Sequence, residues 1–355
     1  MLNNTFSSNI NSQNDQPEVV ILVLNWNGWR NTIECVESLF RLRYKNFRIV
    51  IIDNASTDDS ISRLSEWLDV PDTKRLICTL NQERTEHVFL EPTDVEVQIW
   101  KTCKRGEKSI LTRLHDSSLI VLRNELNHGY AEGNNIGIRF SMEVFNPPFI
   151  LLLNNDTTVE QDSLMKLIHS AMIHSDAALF GPIVYWYDDP NRIQYSSGTM
   201  SMWTGRRRPL MLNPSVLSSG IDIEVDYLGG VAILIRTSIL KNVGLLDSDY
   251  FMYTEDVDFS YRVRKNGSRI IQVPSSKITH KGSQSSGGPN STFVTYYTFR
   301  NPILFMKKNA RWYNWPTFLI SSSIIVALRI FQTVVTDPKR SKSMIIGLMD
   351  GFFHK

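Results

Sequence analysis

The chain has 355 residues, of which 42% are hydrophobic and 21% charged, so it has ample material for one large core or for one core plus a smaller appendage. Its three cysteines, Cys35, Cys78 and Cys103, form no CxxC pair, and their odd number leaves one unpaired in any disulfide scheme. A disulfide scaffold is thereby excluded, and a reducing compartment is indicated.

The formal net charge of +2 conceals an asymmetry along the chain. From residue 300 onwards there are nine Lys or Arg residues against two acids, which leaves the preceding part net negative by five. Any basic surface is therefore predicted at the C-terminal end. Residues 1–17 are polar, rich in Asn and Ser, and lack the apolar region of a secretory signal, so a disordered lead-in is predicted there.

Two strand and helix pairs follow this lead-in. Residues 19–24 form a continuous apolar run typical of a buried strand, and the next helix is predicted to be capped by Asn31, with Glu34 in the capping-box position. Residues 48–52 give a second buried strand, which ends at Asp53 before another helix. Asp53 is either a turn residue or a carboxylate that accepts hydrogen bonds from a nucleobase or ribose. Successive strand and helix units predict right-handed crossovers and a parallel sheet.

The strand and helix pattern is lost between residues 71 and 118, which we interpret as an insertion with a small hairpin around residues 95–100. A strand over residues 119–122 restores the sheet, and a helix follows it. Gly129 and Gly133, between this strand and helix, would let backbone amides approach an anion. Their spacing is neither a Rossmann fingerprint nor a P-loop, so it does not identify a phosphate site by itself.

The rest of the chain is organised around residues 149–153, five consecutive apolar residues that predict a strand buried on both faces at the centre of the sheet. The strand ends in Asn154, Asn155 and Asp156, at the position where open α/β sheets bind ligands. A carboxylate held there can coordinate a hard cation, which in turn can hold nucleotide phosphates. The alternative is a turn that merely ends a strand, since all three residues favour turns.

A helix over residues 163–173 and a strand over residues 177–187 are predicted next. The basic turn Arg206-Arg207-Arg208 is either solvated or placed to meet an anionic acceptor. The pair Gly229-Gly230 predicts close approach by a ligand or by another backbone segment.

A second group of acids opens the helix that stops at Gly267. Thr254 is its predicted cap, and the helix dipole by itself explains acids at positions 255, 256 and 258. The alternative is a catalytic cluster, because residues 250–253 form an aromatic stretch suited to stacking on a sugar. In either case the dipole predicts that Asp256 stays ionised at neutral pH.

A short strand is predicted to end at His280, and helices are predicted after it. Residues 318–335 approach the length of a membrane span but include Arg329 and Gln332. Because their apolar residues recur at helical spacing, a one-faced helix is predicted rather than a span. Its apolar stripe would meet either an anionic membrane surface or the protein's own core.

Taken in order, these motifs resemble the inverting nucleotide-sugar glycosyltransferases of the GT-A fold, family 2, over roughly residues 18–300. The matching pieces are Asn25-Trp26-Asn27-Gly28, Asp53-Asn54-Ala55-Ser56-Thr57-Asp58, residues 127–135, Asn154-Asn155-Asp156, Gly229-Gly230, Glu255-Asp256 and His280. The pair Tyr296-Tyr297 with Arg300-Asn301 is most similar to rhamnosyltransferase-type members that build cell-surface polysaccharides, including those of cell walls.

The resemblance implies a fold class and a division of the chain. An α/β GT-A fold is expected, in which helices flank a mostly parallel central sheet. The transferase domain would cover residues 18–300, including the insertion at 71–118, and residues 301–355 would form a helical segment that is apolar and basic. This segment is a candidate for peripheral membrane association.

The resemblance also implies roles for individual residues. Asp256, with Glu255 beside it, would supply the catalytic base. Asp156 and His280 would hold a divalent cation, Mg²⁺ or Mn²⁺, against the donor's diphosphate. The nucleotide-sugar would contact Asn25, Asn27, Asp53, Asn54, Gly129, Asn134, Asn135, Asn155 and Gly230.

The implied activity is inverting transfer of a sugar, with rhamnose as a candidate, from a nucleotide-diphosphate donor to a glycan or lipid-linked acceptor. The expected location is the cytoplasm or the inner face of the cell membrane, with no nucleic-acid partner. A sugar-nucleotidyltransferase is a first alternative, but it needs a glycine-rich loop with Arg or Lys where residues 25–29 stand. A non-catalytic nucleotide-sugar-binding protein is a second alternative, because Asn154 and Asn155 occupy positions where acids are expected.

Overall fold

The structure is a computed structural model, and it describes residues 16–71, 86–90, 117–194, 197–210, 217, 219–282, 287–288 and 290–353. Most of the predicted lead-in, the hairpin around residues 95–100, and the cysteines Cys78 and Cys103 lie outside the described residues. The third cysteine, Cys35, is fully buried as a free thiol.

Strands and helices alternate through the first half of the chain. The strands are β1 (Val19–Asn25), β2 (Phe47–Asp53), β3 (Glu86–Leu90), β4 (Ser117–Arg123), β5 (Phe149–Asn154), β6 (Thr157–Val159), β7 (Ala177–Trp186), β8 (Asp189–Ile193), β9 (Ser197–Met200), β10 (Arg207–Pro209), β11 (Ile223–Glu224), β12 (Tyr227–Leu228), β13 (Ala232–Arg236) and β14 (Arg269–His280). The α-helices are α1 (Trp29–Phe40), α2 (Ser60–Asp69), α3 (Gly129–Val144), α4 (Ser163–Ile173), α5 (Leu240–Val243), α6 (Glu255–Lys265), α7 (Thr292–Asn309), α8 (Trp315–Thr333) and α9 (Pro338–Phe353).

One mixed sheet forms the centre of the molecule. Its order is β11-β14-β7-β13-β5-β1-β2-β4-β3, with β6 paired to β14 and β8 paired to β7. The strands β5, β1, β2, β4 and β3 run parallel to one another, and β13 is antiparallel between β5 and β7. The parallel register sets Asn25 opposite Asp53 and Leu24 opposite Asn154. The predicted mostly parallel sheet is confirmed, and its polar strand ends meet at one edge.

The apolar run at 149–153 is the central strand that its composition predicts. Leu151 and Leu153 face one buried cluster, while Ile150 and Leu152 face the other. Because both faces are covered, every position of the run buries its side chain, at about 1.5 to 3 kcal/mol each. This strand therefore supplies a rigid base for the polar residues that follow it.

Several helix caps differ from their prediction. The helix α1 begins at Trp29, so Asn31 lies inside its first turn and cannot be the cap; Gly28 takes that position. The helix α6 does begin after Thr254, but Thr254 has a left-handed backbone and makes no side-chain capping bond. In both places contacts with the rest of the protein determine the backbone conformation at the start of the helix. Rules based on local sequence do not include such contacts.

Two strands also differ from their prediction. The strand β14 has 12 residues, so the strand that ends at His280 is long rather than short. The strand β3 adds a parallel edge to the sheet from within the segment interpreted as an insertion. The helix over residues 163–173 is confirmed, and the strand predicted over 177–187 ends one residue earlier, at Trp186.

The C-terminal helices pack in different ways. The helix α9 lies close to α7 because it presents glycines: a Cβ atom on Gly347 would lie 2.5 Å from the Tyr296 carbonyl oxygen, and one on Gly351 would lie 2.9 Å from that of Arg300. The predicted domain boundary at residue 300 falls within α7, and the division of the chain stays a prediction.

The helix α8 is largely exposed. Its apolar stripe faces outward, so the alternative in which the stripe packs on the protein's own core is wrong. The exposed fractions of the stripe are Ile320 65%, Ile324 57%, Leu328 57%, Phe331 82% and Val335 84%. Within residues Trp312–Thr333, a window of 18 residues has a mean hydropathy of 1.3, and 11% of that window is buried. By length and composition alone, this is a helix that could cross a membrane.

Candidate active site

Amide side chains join the polar strand ends of β1, β2 and β5. The Asn25 Nδ2 atom donates to the Asp53 carboxylate at 2.7 Å, and its Oδ1 atom accepts from Thr32 at 2.8 Å and from Asn155 at 3.3 Å. Asp53 is fully buried and also accepts from the Ser56 hydroxyl and backbone N–H at 2.6 and 3.1 Å. These contacts shape the floor of the strand-end crevice.

A second set of amides holds the loops around this crevice. The Asn54 Nδ2 atom donates to Asn127 at 2.9 Å and to the Gly129 carbonyl at 3.0 Å. Asn135 exchanges two hydrogen bonds with the backbone of Leu246, at 2.8 and 3.0 Å. These amides therefore act on backbone groups of neighbouring loops, and both are buried.

Two further residues predicted to bind the donor, Asn27 and Asn134, belong to neither set of amides. Asn27 is exposed, has a φ of 50°, and accepts from the Thr57 backbone N–H at 2.7 Å. Asn134 is buried inside α3, where its Nδ2 atom donates to the Tyr130 carbonyl at 2.9 Å. Asn27 thus lies at the mouth of the crevice, while Asn134 is part of a helix interior.

Strand pairing places His280 beside Asp156. The strand β6 follows Asp156 directly and pairs with the end of β14, so that His280 lies opposite Thr157. The His280 Nε2 atom and an Asp156 carboxylate oxygen are 3.0 Å apart, and both side chains are buried. The His280 Nδ1 atom lies 2.6 Å from the Gln194 Oε1 atom. An Nδ1–H group that donates to this oxygen would leave Nε2 facing the carboxylate, available to a cation.

This pair suits a hard divalent cation. Adjacent ligands of an octahedral cation, each at about 2.1 Å from it, lie about 3 Å apart, which matches the observed spacing. The Gln194 side chain is the kind of outer partner that orients a ligating histidine. Nearby in the chain, the Asn154 Oδ1 atom is buried without a hydrogen-bond partner among the described residues.

The described residues contain no group of three or more His, Cys, Asp or Glu side chains that could hold a metal ion. Asp156 and His280 would therefore supply only two ligands. The remaining positions would have to be filled by phosphate oxygens or water, as is usual for Mg²⁺ at nucleotide sites.

Tyr130 connects this pair with the acids at the start of α6. Its hydroxyl donates to the Gly230 carbonyl, and burial raises the pKa of Tyr130 well above its ordinary value. The negative charges of Glu255, Asp256 and Asp156 raise that pKa further. A single phenol therefore lies within electrostatic reach of Asp156 and of the acids at the start of α6.

The Asp256 carboxylate is held by backbone groups on two sides. It accepts from the Gly230 N–H at 2.8 Å and from the Val257 N–H at 2.8 Å, and it is only partly buried. Loss of water around it raises the pKa of Asp256 above the ordinary 3.8, against the positive charge of Arg207 and these two hydrogen bonds. The upward direction is opposite to the effect of the helix dipole, because desolvation outweighs it here. That Asp256 stays ionised at neutral pH remains a prediction. A carboxylate with a raised pKa is a stronger base.

Glu255 differs from its neighbour in accessibility. It is 4% exposed, and one of its carboxylate oxygens is buried with no hydrogen-bond partner among the described residues. Burial, followed by the charge of Asp256, raises the pKa of Glu255 well above 4.5. Asp258, further along α6, is occupied by Arg262 at 2.7 Å and by Asn309 at 2.8 Å. Asp256 is therefore the member of this cluster that is both held in place and accessible.

A strained loop precedes these acids. Phe251, Tyr253 and Thr254 all have positive φ values, of 61°, 66° and 79°, which non-glycine residues rarely adopt. The Phe251 carbonyl oxygen accepts from the Tyr130 N–H at 2.7 Å, and a Cβ atom on Gly129 would lie 2.5 Å from that same oxygen. Gly129 is thus required by close packing against this loop, at a φ of 75°.

Asn301 on α7 holds the strained loop from behind. Its Nδ2 atom donates to the carbonyl oxygens of Tyr250, Met252 and Tyr253 at 3.1, 2.7 and 2.6 Å. Arg300 donates to the Asn301 Oδ1 atom at 2.9 Å and to the Asp249 carbonyl at 2.8 Å. The sequence pointed to this residue pair only through its resemblance to rhamnosyltransferases, and the contacts supply a physical role.

Comparison with known proteins identifies the family of this chain. The family model described as glycosyltransferase like family 2 matches residues 17–314. The chain is 28% identical to the low-salt glycan biosynthesis hexosyltransferase Agl10 of Haloferax volcanii, over 50% of this chain and 57% of that protein. It is 25% identical to an N-acetylglucosaminyl-diphospho-decaprenol L-rhamnosyltransferase of Mycobacterium tuberculosis, over 57% of this chain and 69% of that protein.

Solved structures show the same fold. A mannosyltransferase from Pyrobaculum calidifontis, in complex with GDP-Man and Mn²⁺, superposes with a TM-score of 0.51 at 11% identity, covering 97% of this chain and 89% of that one. At such identity the likeness concerns the fold alone, and it confirms the predicted GT-A architecture. On the strength of its family match, this chain belongs to the glycosyltransferase like family 2.

Proposed function

We propose that the protein transfers a sugar from a nucleotide-diphosphate donor to a hydroxyl of a glycan or lipid-linked acceptor, with inversion at the anomeric carbon. The observation that carries this proposal is the position of Asp256, an accessible carboxylate held by the Gly230 and Val257 N–H groups. Its negative charge and that of Asp156 both raise the pKa of Tyr130. A base and a diphosphate site in one crevice are what an inverting transferase needs.

The donor would bind across the strand-end crevice. Its nucleoside would lie towards Asn27 and the loop after β2, and its diphosphate would lie towards Asp156 and His280. A divalent cation bound there, Mg²⁺ or Mn²⁺, would neutralise the charge of the departing nucleoside diphosphate. The buried amides Asn25, Asn54, Asn135 and Asn155 would keep the crevice in shape, with Asp53 held among them.

Asp256 would remove the proton of the acceptor hydroxyl as the new glycosidic bond forms. Because the acceptor oxygen would attack the anomeric carbon from the face opposite the diphosphate, whose bond to that carbon breaks in the same step, the single displacement inverts the carbon. Glu255 has no comparable access, so it would act as the buried neighbour of Asp256 rather than on the substrate. The similarity to a rhamnosyltransferase that acts on a diphospho-decaprenol supports rhamnose as the sugar, a lipid-linked acceptor and a place at the inner face of the cell membrane.

The test separates chemistry from binding. A panel of nucleotide sugars scored by thermal shift identifies the donor, and single-turnover transfer is then measured for the wild type and for Asp256→Asn. We expect transfer to fall by about 10²- to 10⁴-fold with donor affinity retained, because the variant loses only its basicity. Its stability should change by roughly 1 kcal/mol, since one oxygen that accepts from backbone becomes an NH₂ group.

Asp189→Asn is a matched control, because Asp189 is exposed on β8, outside the crevice. It should transfer sugar at the wild-type rate. A folded, donor-binding Asp256→Asn protein with wild-type turnover would eliminate Asp256 as the base. If no nucleotide sugar raised the melting temperature of the wild type, the transferase proposal itself would fail.

A further inference from the structure

Three consecutive arginines lie on a small sheet that ends at the candidate base. The strand β10 carries Arg207 and Arg208 and pairs with β9, which in turn pairs with β12. The strand β12 runs directly into Gly229 and Gly230, whose N–H group binds Asp256. The hydrogen-bonded strands of this small sheet therefore connect Arg207 and Arg208 to the segment that binds Asp256.

All three arginine side chains are exposed, and in the described part of the chain no salt bridge engages any of them. Other arginines of this region are paired: Arg264 lies 2.8 Å from Asp226, and Arg269 lies 2.8 Å from Glu224. The charge of Arg207 lowers the pKa of both Asp256 and Glu255 against the larger effect of burial. Positive charge on this turn thus reaches the site at which an acceptor hydroxyl would be deprotonated.

Residues 203–205, just before these arginines, contact the exposed apolar helix α8. The Trp203 carbonyl accepts from the Thr317 hydroxyl at 2.6 Å, and the Thr204 carbonyl accepts from the Ser321 hydroxyl at 3.2 Å. A Cβ atom on Gly205 would lie 2.7 Å from the ring of Phe318. The molecule therefore presents an apolar helix, then a cluster of arginines, then a carboxylate base, connected in that order.

We propose that Arg206, Arg207 and Arg208 bind the diphosphate of a lipid-diphosphate-linked acceptor, with its hydrocarbon chain directed towards α8 and its sugar towards Asp256. The inference rests on the proposed transferase activity and names the class of its acceptor. A guanidinium group can donate two parallel hydrogen bonds to two phosphate oxygens, whereas the ammonium group of lysine acts as a point charge. Arginine therefore suits the recognition of a diphosphate. The donor's diphosphate has a separate place at Asp156 and His280, so the arginines are available for the acceptor.

Binding of farnesyl diphosphate tests this site without requiring transfer. Its affinity for the full-length protein is measured in neutral detergent micelles, beside that of farnesol. Wild type is compared with the triple variant Arg206→Gln, Arg207→Gln, Arg208→Gln. The matched control is Arg41→Gln, Arg43→Gln, Arg63→Gln, three exposed arginines on or beside α1 and α2. Donor binding is measured in each variant as the thermal shift caused by the most stabilising nucleotide sugar. It shows whether the transferase site is intact.

We expect wild type and control to bind farnesyl diphosphate at least about tenfold more tightly than farnesol. The variant with Gln at positions 206, 207 and 208, called the turn variant, should bind farnesyl diphosphate about tenfold more weakly than wild type does. Donor stabilisation should be unchanged in all three proteins. Equal affinity in the turn variant and the wild type would overturn the proposal, as would an equal loss in the control. Displacement of farnesyl diphosphate by a nucleoside diphosphate would assign the lipid to the donor site and also overturn it.

Phosphatidylglycerol vesicles separate a lipid diphosphate from ordinary headgroups. If the turn variant lost vesicle binding while its affinity for farnesyl diphosphate stayed at the wild-type value, the arginines would belong to the membrane surface and the proposal would be wrong. Failure of the transferase proposal looks different, because then no nucleotide sugar stabilises even the wild type.

Discussion

The six asparagines predicted to contact the donor all form hydrogen bonds with the protein's own backbone or side chains. Asn54 and Asn135 each make at least two hydrogen bonds to groups on other elements, and Asn25 links three strand ends through its side chain. Such fully satisfied buried amides specify one loop arrangement, because any other would leave polar groups unpaired. Their place in donor binding stays a prediction, and its physical form would be the shape of the crevice.

Asp156 and His280 would be the only two protein ligands of the cation among the described residues. Removal of Asp156 therefore tests whether the cation binds there. In Asp156→Ala we expect Mn²⁺ to lose its ability to enhance thermal stabilisation by the donor nucleotide, and transfer to be lost with it. His280→Ala should weaken the metal effect less, since water or phosphate oxygens can fill a vacated position. Melting curves with nucleotide, with and without Mn²⁺, provide the measurement. Full metal-dependent stabilisation in Asp156→Ala would show that the cation binds elsewhere.

Glu255 predicts an unusual dependence of stability on pH. Because burial raises its pKa in the folded protein above the ordinary 4.5, the folded state holds its proton more tightly than the unfolded state does. This contribution to stability is complete below the unfolded value and is lost as the pH rises through the folded one. Glu255→Gln stays neutral at every pH, so its melting temperature should rise relative to wild type between pH 4 and pH 8.

The control for this comparison is Glu160→Gln, at an exposed position after β6. Its melting temperature should follow that of the wild type across the same pH range. A difference between Glu255→Gln and wild type that stays constant with pH would show that the carboxyl group titrates alike in both states.

At the scale of elements, the loop over residues 250–254 depends on α7 for its shape. Residues with positive φ cost about 1 to 3 kcal/mol each, so the surrounding structure must hold them. Asn301 does so with three hydrogen bonds from one amide group, and α9 covers α7 through Gly347 and Gly351. The C-terminal helices therefore support the catalytic loop even though they lie outside the central sheet.

Two substitutions with opposite effects on stability test this support. Asn301→Leu removes a donor from three carbonyls, of which that of Tyr250 still accepts from the Met252 N–H, and it should lower the free energy of unfolding by about 2 to 4 kcal/mol. Thr254→Gly relieves a φ of 79° and removes a hydroxyl that is buried without a partner among the described residues, so it should raise stability by about 1 kcal/mol.

Both variants loosen the loop that positions Asp256, so both should transfer sugar roughly tenfold to a hundredfold more slowly while still binding the donor. Single-turnover rates beside denaturant unfolding curves decide the matter. If turnover simply followed stability, with Thr254→Gly at least as fast as wild type, the loop would have no positioning role.

At the scale of the whole molecule, the apolar and basic surfaces coincide at the C-terminal end. The stripe of α8 faces outward, and Arg311, Lys339 and Lys342 are exposed near it. Lys308 contributes less than its charge implies, because it contacts Asp247 and Asp249. An exposed apolar helix beside basic residues is typical of proteins that bind at a membrane surface.

We expect the protein to float with phosphatidylglycerol liposomes and to be recovered less with phosphatidylcholine, since each basic residue near an anionic surface contributes about 1 kcal/mol. The triple variant Ile324→Asp, Leu328→Asp, Phe331→Asp should remain unbound. The control variant places acids at Met165, Met172 and Ile173, apolar residues of α4 that are also exposed. Flotation of the α8 variant at the wild-type level, or equal recovery of wild type with neutral liposomes at low salt, would contradict this expectation.

The sequence by itself determined the central architecture of this protein. The run at residues 149–153 predicted the middle strand, as the structure confirms. The polar residues after the strands predicted that the strand ends form the ligand site, which stays a prediction. These features could be recognised because burial on both faces and the change from apolar to turn-forming residues are local properties of the chain. The motif order also indicated the family that the comparisons confirm.

Only the tertiary structure decided how the site is held together. The pairing of His280 with Asp156, the raised pKa of Asp256 and the three bonds from Asn301 depend on residues far apart in the chain. The same is true of the outward face of α8, whose helical spacing is compatible with a core, a membrane or a ligand. Periodicity specifies which residues share a face, whereas the packing of the remaining elements determines what that face meets.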